Sequence, residues 1–362
     1  MIGPEGGVVG DDHAAFRGRR VFGNLDGLRA VAILAVIWHH SLAGRPTGHR
    51  LLDGGFHGVE LFFVISGFLI TTLLLREREA RGRIHLGRFY ARRTLRIFPL
   101  YYAMLGLQVL IFALVPGEEA ARRAFFGNLP LHLTYTSNWA VNKDPFAFSW
   151  SLACEEQFYL VWPAFLVLLR PRLAAAAMGL FLLTRHGIDL GESHGVFDRE
   201  VFAVAAILKV PPTLGLGVLG AFLLHHPRGF AVGRRLLGWR GADLAAVGLL
   251  ALAIHRPELA SLPGAIDLAL ALVVLSFVVR EKALLGPLLR FRAVAWIGKV
   301  SYGTYLMHVL VIGALHRIAY DAMPPGSASR FVAAAALTTA AASLSFRTFE
   351  AFFLRFKSRF AA

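Results

Sequence analysis

Residues 25–40 read LDGLRAVAILAVIWHH. With its flanks the run is long and apolar enough to cross about 30 Å of hydrocarbon as a helix, yet Arg29 stands near one end and His39 and His40 stand at the other. An ionisable side chain within a span costs roughly 2.5–3.5 kcal/mol on insertion scales, so it usually has a use. Arg29 and His40 are eleven positions apart. That is about 16 Å of helix rise, and eleven steps of about 100° return to within about 20° of the start. The two side chains therefore share a face, while His39 points about 80° away from Arg29. Snorkelling of Arg29 and His40 to opposite interfaces as anchors is the plainer alternative.

The rest of the chain is built in the same way. Of 362 residues, 56% are hydrophobic and only 17% charged, more apolar than one soluble core requires. Apolar runs recur near 25–44, 56–75, 97–115, 150–169, 173–184, 203–224, 243–254, 264–279, 299–319 and 329–346. They predict an all-α polytopic membrane protein of about ten transmembrane helices. The formal net charge of +15 falls in short clusters between the runs and not on one polar domain, which argues against a nucleic-acid partner. Arginines precede run one and recur after runs two, four, six, eight and ten, while the intervening loops are poorer in Lys and Arg. By the positive-inside rule both termini are cytoplasmic. Residues 1–23 read as a flexible cytoplasmic tail, 24–350 as the membrane domain and 351–362 as a basic cytoplasmic tail. The single cysteine, Cys154, excludes an internal disulfide and a multi-thiolate zinc site. His39 and His40 diverge on a helix and have no carboxylate at ligand spacing, so no metal is expected.

Four further stretches carry polar groups that packing alone does not require. FHGVELFFVISGFLITTLLL, residues 56–75, opens with Glu60, an acid that could orient a histidine base or simply favour a helix N-terminus. Gly67 within it permits close helix approach. FYARRTLRIFPLYY, residues 89–102, holds Arg92, Arg93 and Arg96. Topology explains basic residues there. The one-turn spacing of Arg93 and Arg96 beside Phe98, Tyr101 and Tyr102 also suits a phosphorylated, adenine-bearing ligand such as coenzyme A. FSWSLACEEQFYLVWP, residues 148–163, presents Glu155 and Glu156, of which about one should face inward, with Tyr159 one turn beyond Glu155. They could bind a sugar-like acceptor or poise a base. WIGKVSYGTYLMHV, residues 296–309, puts Ser301, Tyr305 and His308 on one helical face, and His308 is either a packing residue or part of the site. Acceptor choice is expected in the outer stretches 41–57, 116–149 and 185–202.

Taken together these stretches resemble the integral-membrane acyltransferase 3 family, which includes O-acetyltransferases of bacterial surface glycans and acyltransferases acting on macrolides and other small molecules. Arg29 and His40 match that family's Arg-x10-His motif. GVELFFVISGFL, RRTLRIFP, SWSLACEEQFYLVWP, IGKVSYGTYLMH and SFRTFE then follow in its order, over roughly 24–350. The resemblance implies ten helices in a bacterial cytoplasmic membrane and an acyl-CoA co-substrate, most simply acetyl-CoA. It implies a hydroxyl acceptor on a glycan, glycolipid or small molecule. It implicates His40, Arg29, Glu155 and Glu60 in catalysis, and Arg93 and Arg96, with Arg92 beside them, in donor binding. Glu156, Tyr159, Tyr305 and His308 are read as contacting the substrate or supporting the site. Several relatives append an extracytoplasmic hydrolase-like domain, which is expected to be absent here because the sequence ends at Ala362. The rival from another class is a transporter or flippase of an acidic or glycan-lipid substrate, whose pathway the same charges would line.

Overall fold

The computed structural model describes residues 5–19, 21–115, 119–139, 144–193 and 209–360. Parts of the stretches 116–149 and 185–202, and residues 203–208 of the sixth apolar run, lie outside the described residues. Among the described residues every regular element is helical. The principal helices are α1 (Glu5–Gly18), α2 (Gly23–Ser41), α3 (His57–Arg81), α4 (Leu86–Leu114), α5 (Glu119–Leu133), α6 (Trp150–Leu168), α7 (Pro171–Ser193), α8 (Pro212–His225), α9 (Pro227–Leu237), α10 (Ala242–His255), α11 (Ala265–Val279), α12 (Ser301–Ile318) and α13 (Ala328–Arg347).

Nine of the ten apolar runs lie largely within helices, as does the described part of the sixth. By length and hydropathy four helical stretches are fit to cross a membrane, or six if each of two bent pairs is one span. The tally falls below ten for physical reasons. α8 and α11 have 14 and 15 residues, and α6 carries Glu155, Glu156 and Gln157 in its first half. The third run also starts earlier than its hydropathy indicates. α4 is 29 residues long and begins at Leu86, so Arg88, Arg92, Arg93 and Arg96 are helical. Arginine is a strong helix former, and a basic segment with apolar residues between its charges continues a helix readily.

The chain divides into two compact units. The first comprises residues 1–35, 48–84 and 166–299. Its core gathers Leu61, Val64, Ile65 and Phe68 of α3 with Leu270, Val274, Phe277 and Val278 of α11. α3 and α8 approach backbone to backbone: a methyl group on Gly67 would strike the Leu214 carbonyl oxygen, and one on Gly217 would strike that of Val64. This is the small-residue packing that lipid-embedded helices use in place of a hydrophobic drive. Gly67→Ala is expected to destabilise the protein by at least about 1–3 kcal/mol, as for other overpacked sites. Gly106→Ala, where the added carbon has nothing within 4 Å, should be neutral. Melting midpoints of the two variants in detergent check this, and equal midpoints would remove the glycine contact as a determinant.

Residues read from composition as a tail form α1. Its Phe16 is buried against Phe230, and Arg76 of α3 donates to the Phe16 carbonyl at 2.9 Å. His13 and Phe16, three apart, give this otherwise polar segment one adhesive edge.

The second unit comprises residues 36–47, 85–165 and 300–362. α12 packs along α13 with Gly303 against Ala342, and the Tyr302 hydroxyl donates to the Ile97 carbonyl of α4 at 2.7 Å. Beyond α13, residues 349–360 form a short helix and a 3-10 turn. Arg92 donates to the Phe360 carbonyl at 2.7 Å. The single cysteine, Cys154, is buried in α6.

Candidate functional site

The second unit holds most of the residues that the sequence singles out. His40 lies one residue before the end of α2. Its Nδ1 meets the Val36 carbonyl at 3.0 Å, and the Nε2 of His308 on α12 meets the same Nδ1 at 3.3 Å. His308 Nδ1 in turn bonds to the Tyr305 carbonyl one turn earlier. A carbonyl only accepts, so each Nδ1 that faces one carries the proton. His308 Nε2 is then a lone-pair acceptor for the His40 Nδ1–H. What remains is His40 Nε2, a basic nitrogen with no hydrogen bond among the described residues.

His308 is held firmly. It is fully buried, edge-on to Phe148 with ring centroids 5.4 Å apart. The Tyr305 hydroxyl donates to the Phe148 carbonyl at 3.0 Å and lies 2.6 Å from Ser151 Oγ at the start of α6. Tyr305 thus serves as support through both ends, its hydroxyl pinning the loop before α6 and its carbonyl fixing the His308 tautomer.

That loop has a polar core which the sequence did not reveal. His132 Nδ1 bonds Ser149 Oγ at 2.9 Å, its Nε2 lies 3.3 Å from Asp144, and Asn128 donates to Asp144 at 2.9 Å. Burial alone would raise the pKa of Asp144. Hydrogen bonds from His132 and Asn128 and the charge of His132 outweigh it and hold the carboxyl below its ordinary value. Nothing in the spacing of Asn128, His132, Asp144 and Ser149 marks them as partners, because two of the four come from irregular segments.

The basic cluster also lies in this unit. The Arg93 guanidinium sits over the Tyr159 ring at 4.7 Å and near Phe89 at 5.8 Å. Arg96 sits over Phe346 at 5.4 Å. The Tyr159 hydroxyl donates to the Glu155 carboxylate, so Glu155 is tied through Tyr159 to Arg93. The sequence reading left Glu155 to bind a sugar-like acceptor or to poise a base, and the resemblance implied a catalytic part for it. Tyr159 follows Glu155 by one helical turn and reaches across to α4, which is why the carboxylate joins the cations. Glu156 is half-buried and makes no hydrogen bond among the described residues. Tyr101 and Tyr102, expected with Phe98 as aromatic neighbours of the arginine pair, spend their hydroxyls on the His132 and Leu133 carbonyls at 2.8 and 3.0 Å. Tyr101 is buried and stacked on Tyr135. The aromatic faces that meet the arginines therefore come from Tyr159, Phe89 and Phe346.

Arg29 and Glu60 belong to the first unit. Arg29 pairs with Asp26 at 2.9 Å, and Glu60 accepts from His57 at 2.6 Å. Among the described residues no group of three or more His, Cys, Asp or Glu could hold a metal ion.

Comparison with known proteins identifies the family. Residues 22–347 match the model of a family described as an acyltransferase domain. The chain is 27% identical over 370 residues to the peptidoglycan O-acetyltransferase OatA of Listeria monocytogenes, covering 92% of this chain and 56% of that protein. It is 30% identical over 335 residues to a protein of Staphylococcus aureus provisionally named an O-acetyltransferase, covering 86% and 54%. It is 30% identical over 321 residues to YrhL of Bacillus subtilis, provisionally named a peptidoglycan O-acetyltransferase, covering 81% and 49%. The chain thus spans about half the length of the curated relatives it matches. No solved structure matches it.

Proposed function

Because the chain belongs to the acyltransferase-domain family and is an integral, multi-pass membrane protein, we propose that it transfers an acyl group to a glycan hydroxyl. The names of its relatives support acetyl as the group and a peptidoglycan-like polymer as the acceptor. The donor in this reading is acetyl-CoA, held through its phosphates by Arg93 and Arg96. The ten-span arrangement with both termini cytoplasmic belongs to the same proposal and is supported by the alternation of basic loops.

The observation that carries the mechanism is the tautomer of His40. With Nδ1–H fixed by Val36 and His308, Nε2 can accept the acceptor's hydroxyl proton while that oxygen forms its bond to the thioester carbonyl carbon. The carbonyl π electrons move to oxygen. Collapse of this tetrahedral oxyanion breaks the C–S bond, and the leaving thiolate takes the proton back from His40 Nε2. During the protonated interval the Nδ1–H bonds to Val36 and His308 become charge-assisted and strengthen, which favours the transition state over the ground state. Tyr159 and Glu155 hold Arg93 in place for the donor. Arg29 is assigned to the donor through the Arg-x10-His motif and not to the reacting carbonyl, since helix geometry sets it about 16 Å from His40 along the axis. Glu60 is assigned an acceptor-side role on the same family basis.

Inverted membrane vesicles carrying cell-wall glycan in the lumen and given acetyl-CoA labelled in the acetyl group from outside test the reading. Label that becomes alkali-labile on the glycan is the expected result. Glycan or glycolipid crossing the membrane unlabelled would support a transporter, and label supplied only from a donor other than acetyl-CoA would overturn the donor assignment.

A further inference from the structure

Arg330, in the first turn of α13, is the largest fully buried side chain among the described residues, with 0% exposure. Its Nε donates to the Met323 carbonyl at 2.7 Å, and its Nη1 lies 3.3 Å from His316 Nδ1. Its Nη2 has no partner. No carboxylate forms an ion pair with it among the described residues. A buried guanidinium without a counter-charge is costly, several kcal/mol after relaxation, and protein interiors seldom retain one without a use.

Tyr320, His316 and Arg45 stand around it. The Tyr320 ring lies 5.9 Å from the guanidinium carbon, and His316 packs edge-on to that ring at 4.9 Å. Exposed Arg45 reaches the Tyr320 hydroxyl from the turn after α2 at 3.4 Å. Because Arg330 can only donate, His316 Nδ1 is its acceptor. Four side chains thus converge with donors and no acid. The same turn is stapled to the His40 end of α2 by the Gly326 amide, which donates to the Ser41 carbonyl at 3.0 Å.

We propose that Arg330 and Arg45, with Tyr320 between them, form an anion subsite that takes a carboxylate or phosphate group of the acceptor. The identity of the anion's carrier rests on the acyl-transfer reading; the anion site itself does not. Arginine presents paired donors that match either oxyanion, and Nη2 is the donor left to supply one. An acceptor anchored there by its acid group is held beside the helix end that bears His40. A sugar carboxylate and the phosphate of a lipid-linked sugar share this chemistry.

The test uses the full chain purified in detergent and titrated with sodium phosphate or sodium glucuronate, ionic strength being matched with sodium chloride, while the melting midpoint is followed. Saturable stabilisation is expected for at least one of the two anions. A response to phosphate alone assigns the carrier to a phosphate-linked acceptor, and a response to glucuronate assigns it to a sugar acid. In the part of the response that persists in Arg96→Gln, Arg45→Gln should weaken the apparent affinity about 10-fold or more, the range of a charge-assisted hydrogen bond, and Arg330→Gln should abolish saturation. Arg96→Gln should leave this response in place, which separates the subsite from the donor's phosphate site. Because Arg330→Gln can fail to fold, Arg45→Gln, at an exposed position, carries the same decision. Unchanged affinity in Arg45→Gln, or no saturable response in the unmodified protein, overturns the subsite. Loss of the subsite with glycan labelling intact leaves the acyltransferase reading standing, and an intact subsite without labelling does the reverse.

Discussion

Replacing His40 with alanine is expected to lower the rate of acyl transfer about 10²–10⁴-fold, the usual contribution of a positioned general base. The loss should appear in kcat, because Nε2 acts on the proton during bond formation and not on the resting donor. Full activity of His40→Ala in membranes containing normal amounts of protein would exclude the mechanism. His308 sharpens the test, because it touches His40 and not the reacting atoms. In His308→Gln the amide can still accept from His40 Nδ1–H and donate to the Tyr305 carbonyl, so most of kcat should survive. His308→Ala removes both bonds and should cost about 10–150-fold, the range of a hydrogen bond to a charged group. A role in packing alone would not produce rescue by glutamine with kcat restored and KM unmoved.

Substitution of Arg93 or Arg96 by glutamine is expected to act on the other substrate, raising the KM for acetyl-CoA about 10-fold or more at each position. The decisive comparison is with 3′-dephospho acetyl-CoA. If these arginines hold phosphate, the unmodified protein should prefer the full donor and the variants should lose much of that preference. Equal discrimination in variant and unmodified protein would detach the cluster from the donor. Arg93→Lys should rescue poorly, because an ammonium cannot reproduce the planar stacking on Tyr159. Arg92, already engaged by the Phe360 carbonyl, should matter less to donor binding than its neighbours.

The helices were legible because their signal is local. The run from 25 to 40 announces a helix by its apolar length, and phase alone singles out His40, the histidine found against His308. Gly67 was legible as a point of close approach, although its partner Gly217 was not, since the pairing depends on which helices become neighbours. Long-range placement was the part that stayed hidden. Glu155 and Arg93 are far apart in the sequence and read as opposite poles, yet Tyr159 joins them. Arg330 passed unnoticed because a lone arginine near a helix start looks like an interface anchor, and only burial without an acid distinguishes it. The polar core of His132, Asp144 and Ser149 is assembled largely from irregular chain, which carries no periodicity to read.

Cys154 has a practical meaning for mapping the topology. A protein with one sulfhydryl, and that one inaccessible within α6, already provides the silent background that membrane-impermeant thiol reagents require. Single cysteines placed in successive loops would report the side of the bilayer each occupies, without first dismantling native chemistry, and would turn the arginine pattern into a map of inside and outside.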